Sequence, residues 1–181
     1  MMAFEVISLR QTILYIAISL DGMIAGVNDD LSYLHGYDDF KLVQSSYQEL
    51  MNQIDTIIMG RRTYDVVLNM GDWPYEGYQT YVITSNIIPS SHANLTSLSP
   101  KTLIETLRKE NGKDIWIVGG AKLVQSLLKD DLIDSMVIAI IPTLLGEGTR
   151  LFEGVQASFD CIRVEHEKGL ILATYQRKKG R

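Results

Sequence analysis

The sequence predicts an α/β fold: a largely parallel sheet that carries helices on both faces and ends in an antiparallel hairpin. Short, continuous apolar runs alternate along the chain with segments whose apolar residues recur every three or four positions. This alternation is typical of strands joined by crossover helices. Near the end of the chain, residues 159–177 instead read as two strands that meet at Lys168 and Gly169, which predicts the hairpin.

The continuous apolar runs are the predicted strands of the sheet. Strands that are covered by helices on both faces lack the alternation of apolar and polar residues, and we expect the first run to be buried in this way. The runs are TILYIAI at 12–18, DTIIMG at 55–60, QTYVIT at 79–84, DIWIV at 114–118 and SMVIAII at 135–141.

Four segments between these strands are predicted to be helices. The first, at 40–54, has a single apolar stripe formed by Phe40, Val43, Tyr47, Leu50 and Ile54. Ser99 as N-cap and Pro100 at the first helical position mark the start of the third, and Gly112 follows its end. The second covers about 63–69, and the fourth runs to about 128.

Composition indicates one globular domain, which we place at 12–178 after an N-terminal extension at 1–11. The chain has 181 residues, a net charge of −5 and a pI near 5.2, which argues against a surface that tracks nucleic-acid phosphates. No apolar stretch reaches the roughly 18 residues of a membrane span, and the opening residues do not resemble a secretory signal. The single cysteine, Cys161, fits a reducing, cytoplasmic compartment, and we expect it to be buried.

Glycines and polar residues follow three of the predicted strands, where parallel sheets bind their ligands. Gly119 and Gly120 lead into a helix whose first N–H groups have no internal acceptor and whose dipole favours an anion such as a pyrophosphate. A tight turn with close packing of helix against sheet is the alternative interpretation of these two glycines.

The other two strand ends offer further phosphate ligands. Arg61 and Arg62 follow Gly60, and an arginine fork suits phosphate oxygens; a solvated pair of arginines near carboxylates is the alternative. Between 84 and 94 there is no acidic residue to bind a ribose diol, which leaves room for the extra phosphate of NADP; a plain Ser/Asn turn is the alternative. A dinucleotide needs several such corners on one sheet edge, so the three together predict a dinucleotide site.

Five motifs in this order resemble the dihydrofolate-reductase superfamily: YIAISLDGMIAG, IIMGRRTY, YVITSN, IWIVGGAKLVQSLL and IPTLLGEGTRLFEG. Within it, the chain is similar to the bacterial branch that includes the C-terminal reductase domain of riboflavin biosynthesis proteins. The resemblance spans 12–175 and implies a three-layer fold with a mostly parallel, eight-stranded sheet. It also implies self-association as a homodimer through sheet edges and final strands.

The activity implied by this resemblance is NADPH-dependent hydride transfer to a small pyrimidine-like or pterin-like heterocycle, as in 5-amino-6-(5-phosphoribosylamino)uracil reductase. Dihydrofolate reductases carry a carboxylate on the first helix, whereas here the helix interior offers only Glu49, late in the segment, which argues against folate. An NADP(H)-binding protein of the same fold without turnover, acting as a sensor or binding module, is therefore the alternative function.

Positions that match the family's motifs are the expected cofactor site. Ala17 would contact the nicotinamide carboxamide through its backbone. The phosphate and ribose contacts would come from Gly60, Arg61, Arg62 and Thr63, from Thr84 and Ser85, and from Gly119, Gly120, Ala121 and Lys122.

Asp21, Gly146 and Glu147 are the expected substrate-binding residues, and Gly148 would lie near them. Asp21 and Glu147 are also the candidate proton donors; a turn aspartate, a solvated loop charge and a water molecule as donor are the alternatives. Three loop aromatics are suited either to stack on a heterocycle or to pack in the core: Tyr33, Tyr37 and Trp73. The three histidines lack metal-ligand spacing, so we predict no metal site.

Overall fold

The structure, a computed structural model, describes residues 9–178 and is built on one large sheet. Its strands are β1 (Thr12–Ser19), β2 (Met23–Ala25), β3 (Ile54–Gly60), β4 (Gln79–Ile83), β5 (Asn94–Thr96), β6 (Asp114–Gly119), β7 (Ser135–Ile141), β8 (Thr149–Arg150), β9 (Phe159–Glu167) and β10 (Leu170–Arg177). Its helices are α1 (Lys41–Gln53), α2 (Arg61–Asn69), α3 (Pro100–Leu107) and α4 (Ala121–Lys129). Two short 3-10 helices, Val27–Asp29 and Ser32–Leu34, connect β2 to α1.

Eight of the strands form the sheet in the order β5-β4-β3-β6-β1-β7-β10-β9. The first six of these strands are parallel to one another, and β10 and β9 add the antiparallel hairpin. This topology confirms the predicted fold class. The strands β2 and β8 form a separate antiparallel pair, which the sequence did not predict because elements of two or three residues carry no readable periodicity.

Successive residues of the central strands point to opposite faces of the sheet, as the two-residue repeat of a strand requires. Leu14 and Ile58 pack with α3 and α4 on one face, whereas Ile13 and Ile57 pack with the end of α1 and with α2 on the other. Ser99 caps α3 as predicted, since its side chain accepts a hydrogen bond from the Thr102 N–H at 3.1 Å. The helix α2 begins at Arg61, two residues earlier than predicted.

Arg10 lies within the predicted extension at 1–11 and packs against the domain; residues 1–8 of that extension lie outside the described part of the chain. The Arg10 side chain is buried and forms an ion pair with Asp55. It also donates hydrogen bonds to the Thr56 hydroxyl at 2.6 Å and to the Lys113 carbonyl at 2.5 Å. A guanidinium group is costly to bury without such partners, so these contacts account for its position at the amino ends of the central strands.

Cys161 is exposed, and the prediction that it is buried was wrong. It lies on β9, the last strand of the sheet, where Ile162 and Val164 are also 61% and 60% exposed. A strand at the edge of a sheet has a neighbour on one side only, and the apolar residues of this strand do not indicate that position. None of the helices within residues 9–178 is long and apolar enough to cross a membrane.

Candidate cofactor and substrate site

The strands β1 and β6 stop pairing before their carboxyl ends, at the point where the order of the strands reverses, and we call the gap between them the cleft. The next strand of the sheet after β1 in the chain is β3, which lies beside β6. The next strand after β6 is β7, which lies on the opposite side, beside β1. The pairing of β1 with β6 stops at Leu14 and Ile117, although β1 continues to pair with β7 as far as Ser19. Open α/β sheets bind ligands at such a switch point, outside the carboxyl ends of the strands.

The second half of β1 borders this cleft. Thr12, Ile13 and Leu14 are buried, but the residues from Tyr15 to Ile18 are half-buried, so burial on both faces holds only for the first half of the strand. The Trp116 indole N–H donates to the Tyr15 carbonyl at 3.2 Å, which shows that this carbonyl points toward β6. Carbonyls two residues apart point the same way along a strand, so the Ala17 carbonyl also faces the cleft.

The three predicted phosphate corners lie side by side, since β4, β3 and β6 are neighbours in the sheet. Gly60 is in register with Ile83, and Met59 is in register with Gly119. A methyl group added to Gly60 would lie 3.9 Å from the Gly120 nitrogen, which shows how closely the two glycine corners approach.

The helices α2 and α4 begin at this surface with free N-terminal amides. Their N-caps are Gly60 and Gly120, and neither has a side chain that could accept a hydrogen bond from the first turn. Gly119 adopts a φ of +130°, which favours glycine, and the peptide bond between Gly119 and Gly120 is cis. A methyl group on Gly120 would lie 3.3 Å from the Thr63 hydroxyl oxygen. Two helix N-termini without side-chain caps form a surface suited to an anion.

The remaining predicted phosphate ligands sit around this surface. The Thr84 hydroxyl accepts a hydrogen bond from the Asn86 N–H at 3.1 Å, whereas Ser85 is exposed at the turn after β4. Lys122 is exposed in the first turn of α4, and the neighbouring Ala121 is buried. The structure therefore brings all of these positions to one edge of the sheet.

Both arginines of the second corner are paired with carboxylates. The Arg61 Nε donates to both carboxylate oxygens of Asp65, at 2.8 and 3.0 Å. The Arg62 Nε donates to the Asp29 carboxylate at 2.6 Å, and the Arg62 side chain is 70% exposed. This arrangement matches the alternative interpretation of the arginine pair. Exposed ion pairs contribute about 0–1 kcal/mol, so an incoming phosphate can replace the carboxylates.

Asp21 fastens the loop after β7 to the end of β1. Its carboxylate accepts hydrogen bonds from the Ser19 hydroxyl at 2.6 Å, the Leu145 N–H at 3.1 Å and the Gly146 N–H at 2.7 Å. These hydrogen bonds, that from Ser19 first, lower the pKa of Asp21 to about 2. A carboxyl group with this pKa carries no proton at neutral pH, so the structure gives Asp21 an anchoring role and argues against its role as a proton donor.

Glu147 is exposed between the two glycines of the same loop. Gly148 has a φ of +145°, and a methyl group there would lie 2.1 Å from the Ala25 carbonyl oxygen, so only glycine fits against β2. Behind the loop, the Leu151 N–H donates to the Gly22 carbonyl at 3.0 Å, and Arg150 donates to the Asp21 carbonyl at 3.0 Å. The position of Glu147 is thus set by contacts on both sides of it.

Of the three loop aromatics, only Tyr33 reaches the cleft. Trp73 stacks on His92 with 5.3 Å between ring centroids, and Tyr37 packs on Phe40 at 5.1 Å, as ordinary packing predicts. The Tyr33 side chain is buried, and its hydroxyl lies 3.4 Å from the Ala17 carbonyl oxygen. Burial raises the pKa of Tyr33 to about 12, so the hydroxyl keeps its proton. Because its partners are backbone carbonyls, no sequence pattern indicates this contact.

The fold and the arrangement of the corners define a dihydrofolate-reductase-like α/β protein. The RibD C-terminal domain family matches residues 10–169, and the chain belongs to this family. The uncharacterized protein YwjB of Bacillus subtilis (strain 168) is 36% identical over 148 residues, which cover 79% of this chain and 83% of YwjB.

Solved structures of riboflavin biosynthesis proteins have the same fold. A protein of Shewanella sp. PV-4 assigned to riboflavin biosynthesis is 33% identical, with a TM-score of 0.85 over 93% of this chain and 99% of that one. The Saccharomyces cerevisiae riboflavin biosynthesis reductase Rib7 is 16% identical, with a TM-score of 0.70 over 98% and 93% of the two chains. At that identity, the likeness to Rib7 shows the fold alone.

The anchoring role of Asp21 predicts that Asp21→Asn lowers the melting temperature by a few degrees at pH 7, because an amide replaces the carboxylate that accepts three hydrogen bonds. The folded-state pKa lies below the unfolded value, so this stabilisation is present at neutral pH and is lost as the pH falls through about 2. Thermal unfolding of wild type, Asp21→Asn and the exposed control Asp38→Asn, followed from pH 7 downward, measures the effect. An identical melting temperature for wild type and Asp21→Asn at pH 7 would contradict it.

Proposed function

We propose that this protein is an NADPH-dependent reductase that transfers a hydride to a small, pyrimidine-like or pterin-like heterocycle. The observation that carries the proposal is that three phosphate-suited corners, after Met59, Ile83 and Val118, share one sheet edge beside the β1/β6 cleft. A dinucleotide is long enough to need several such corners and a separate place for its reactive ring. Membership of the RibD C-terminal domain family supports the same activity.

The residues that would hold NADPH follow from their positions along this edge. The free amides at the starts of α2 and α4 suit the phosphate groups, with Gly119, Gly120, Ala121 and Lys122 at the pyrophosphate. The adenosine end of NADPH would be surrounded by Gly60, Arg61, Arg62, Thr63, Thr84 and Ser85. The Ala17 backbone faces the cleft and suits the carboxamide of the nicotinamide ring, which supplies the hydride when the cofactor is bound.

The protein's own contribution is to position the two reactants and exclude water from them. The loop that carries Gly146 and Glu147 is held over the end of β1 by Asp21 and is our proposed edge of the substrate site. Glu147 is the proposed side-chain proton donor, because the Asp21 carboxylate is engaged in hydrogen bonds with Ser19 and with the loop. A water molecule is the alternative donor.

The side of α1 that faces the sheet supports a substrate other than folate. Val43 packs in the same cluster as Ala17 and Tyr33, and the Ser46 hydroxyl lies 2.8 Å from that of Tyr15. Glu49 is instead paired with Arg163 on β9, at 3.2 Å. The helix therefore offers no carboxylate to bind a pteridine ring, and a pyrimidine of the kind used in riboflavin synthesis fits the family better.

The second candidate function is NADP(H) binding without turnover. It is favoured by one observation: Asp21, one of the two candidate proton donors, and Glu49, the acid in the interior of the first helix, are both engaged in structural contacts. Under this function the protein would bind NADPH but would not oxidise it in the presence of pyrimidine, pterin or quinone-like acceptors.

The reductase proposal predicts micromolar binding of NADPH and clearly weaker binding of NADH. Arg62→Ala should weaken NADPH binding roughly 10- to 100-fold, the range expected for losing a charge-assisted hydrogen bond to the extra phosphate, and should leave NADH binding unchanged. Both affinities can be measured by titration followed by tryptophan fluorescence, since the Trp116 indole lies at the cleft.

The matched control is Arg163→Ala, which removes an exposed, ion-paired arginine on β9. Equal weakening of both nucleotides by Arg62→Ala would move the contact with the extra phosphate away from Arg62. Failure of the wild type to bind either nucleotide would overturn the proposed function.

A second copy of the chain is the proposed partner of the sheet edge at β9. Val164 and His166 lie two residues apart and so share one face, on which Ile171 is paired with His166, and Ile162 stands at the register shift of the same strand. The apolar side chains of Ile162 and Val164 are 61% and 60% exposed on this nine-residue edge strand, and that of Ile171 on β10 is 39% exposed. Exposed apolar side chains on a long edge strand are a surface that a partner can cover, which supports a homodimer through this edge.

This homodimer predicts twice the chain mass in light scattering at micromolar concentration. Ile162→Lys should shift the protein to monomer, because it places a charge in the apolar contact. Met70→Lys, at an exposed apolar residue after α2, is the matched control and should remain dimeric. A wild-type protein that is monomeric across this concentration range would refute the assignment of the partner.

A further inference from the structure

Tyr33 is a buried polar residue at the cleft for which the proposed reaction provides no role. Its hydroxyl lies 3.2 Å from the Ile24 carbonyl oxygen and 3.4 Å from those of Ala17 and Met23. A phenol has one proton, so it donates fully to only one of these three oxygens at a time. The three carbonyl oxygens therefore share a single donor proton from Tyr33.

A primary amide suits this cluster of carbonyls better than a hydroxyl does. Its nitrogen carries two N–H donors and can serve two carbonyl oxygens at once. The nicotinamide ring that we propose for the cleft carries such an amide, and the Ala17 carbonyl is its proposed acceptor. In the structure that same carbonyl faces the Tyr33 hydroxyl.

The segment that carries Tyr33 also reaches the other end of the proposed cofactor site. Asp29 precedes Tyr33 by four residues, in the same connection between β2 and α1. Its carboxylate accepts the hydrogen bond from Arg62, the arginine that we propose for the extra phosphate of NADPH. A carboxylate and a phosphate are both anionic acceptors, so they compete for one guanidinium group.

We infer that Tyr33 and Asp29 compete with NADPH for groups at the two ends of its site and thereby set the affinity for the cofactor. The Tyr33 hydroxyl competes with the carboxamide for the Ala17 carbonyl, and the Asp29 carboxylate competes with the phosphate for Arg62. The inference rests on the proposed function, because it requires NADPH to be the ligand.

The packing of Tyr33 shows that its ring belongs to the core, so the hydroxyl group is the part that competes with the ligand. Its ring lies in a cluster with Ala139, Ile141 and Leu172, on the face of β7 and β10 that α1 covers. Tyr33→Phe keeps this ring and removes only the hydroxyl. The variant then leaves the carbonyls without that donor when no ligand is bound, while the amide still serves them in the complex.

Removal of each competing group should therefore tighten NADPH binding. For Tyr33→Phe we expect about a twofold to tenfold lower Kd, the range of one net hydrogen bond. For Asp29→Asn we expect up to about a fivefold lower Kd, the range of an exposed ion pair. A residue with a merely structural role would leave the Kd unchanged or raise it.

The two variants are separated by a ligand that lacks the nicotinamide. Adenosine 2′,5′-bisphosphate carries the phosphate of the adenosine end but no carboxamide. Asp29→Asn should tighten its binding as it does that of NADPH, whereas Tyr33→Phe should leave it unchanged. The controls Tyr37→Phe and Asp38→Asn change the same connection at side chains without hydrogen-bond partners in residues 9–178, and should alter neither affinity.

Isothermal titration of both ligands into the five proteins gives the outcome. The inference is supported if both variants bind NADPH more tightly than the wild type and only Asp29→Asn binds the bisphosphate more tightly. Weaker or unchanged NADPH binding by both variants, with the wild type binding both ligands, overturns the inference and leaves the proposed function standing. A wild type that binds neither ligand overturns the proposed function and the inference with it.

Discussion

The site depends on one break in the main-chain pairing of the sheet. Beyond Leu14 and Ile117 the strands β1 and β6 separate, so the carbonyls of Tyr15 and Ala17 lose a neighbouring strand as partner. Buried carbonyls require hydrogen-bond donors, and here side chains supply them: the Trp116 indole for Tyr15 and the Tyr33 hydroxyl for Ala17. A donor on a side chain can exchange with a donor on a ligand, which a strand in a continuous ladder does not allow. The cleft is therefore a place in the sheet where the backbone is accessible to a small molecule.

The corners beside this cleft also present backbone groups rather than side chains. Gly60, Gly119 and Gly120 bring two helix N-termini together without a capping side chain on either, so that the amides of both first turns remain available. On the other side of the cleft, the Asp21 carboxylate accepts hydrogen bonds from the backbone of the loop at 145–146. Most of the proposed recognition thus comes from backbone groups, and the side chains fix where that backbone lies.

The sequence predicted the parts of this arrangement that repeat along the chain or end a strand. The parallel strands, the four helices and the final hairpin follow from apolar periodicity and from residues such as Ser99 and Pro100, and the three corners follow from glycines and polar residues after strands. The strand β5 and the β2/β8 pair escaped prediction because two or three residues carry no periodic signal. The burial of Arg10 was not predicted because it depends on Asp55, 45 residues away, and the exposure of Cys161 was not predicted because it depends on the position of β9 at the sheet edge. Apart from the hydrogen bond between Ser19 and Asp21, the contacts of Asp21, Asp29 and Tyr33 are with backbone groups or with distant residues, and composition does not encode them.

The central claim is that the three corners bind one ligand together. Hydrogen–deuterium exchange measured with and without NADPH tests it directly, because the first amides of α2 and α4 have no helical acceptor and exchange fast in the free protein. We predict that saturating NADPH slows exchange in the peptides that cover 60–64, 84–86 and 119–123, with the same dependence on ligand concentration in all three. Protection confined to a single corner, or different ligand affinities at different corners, would contradict the account.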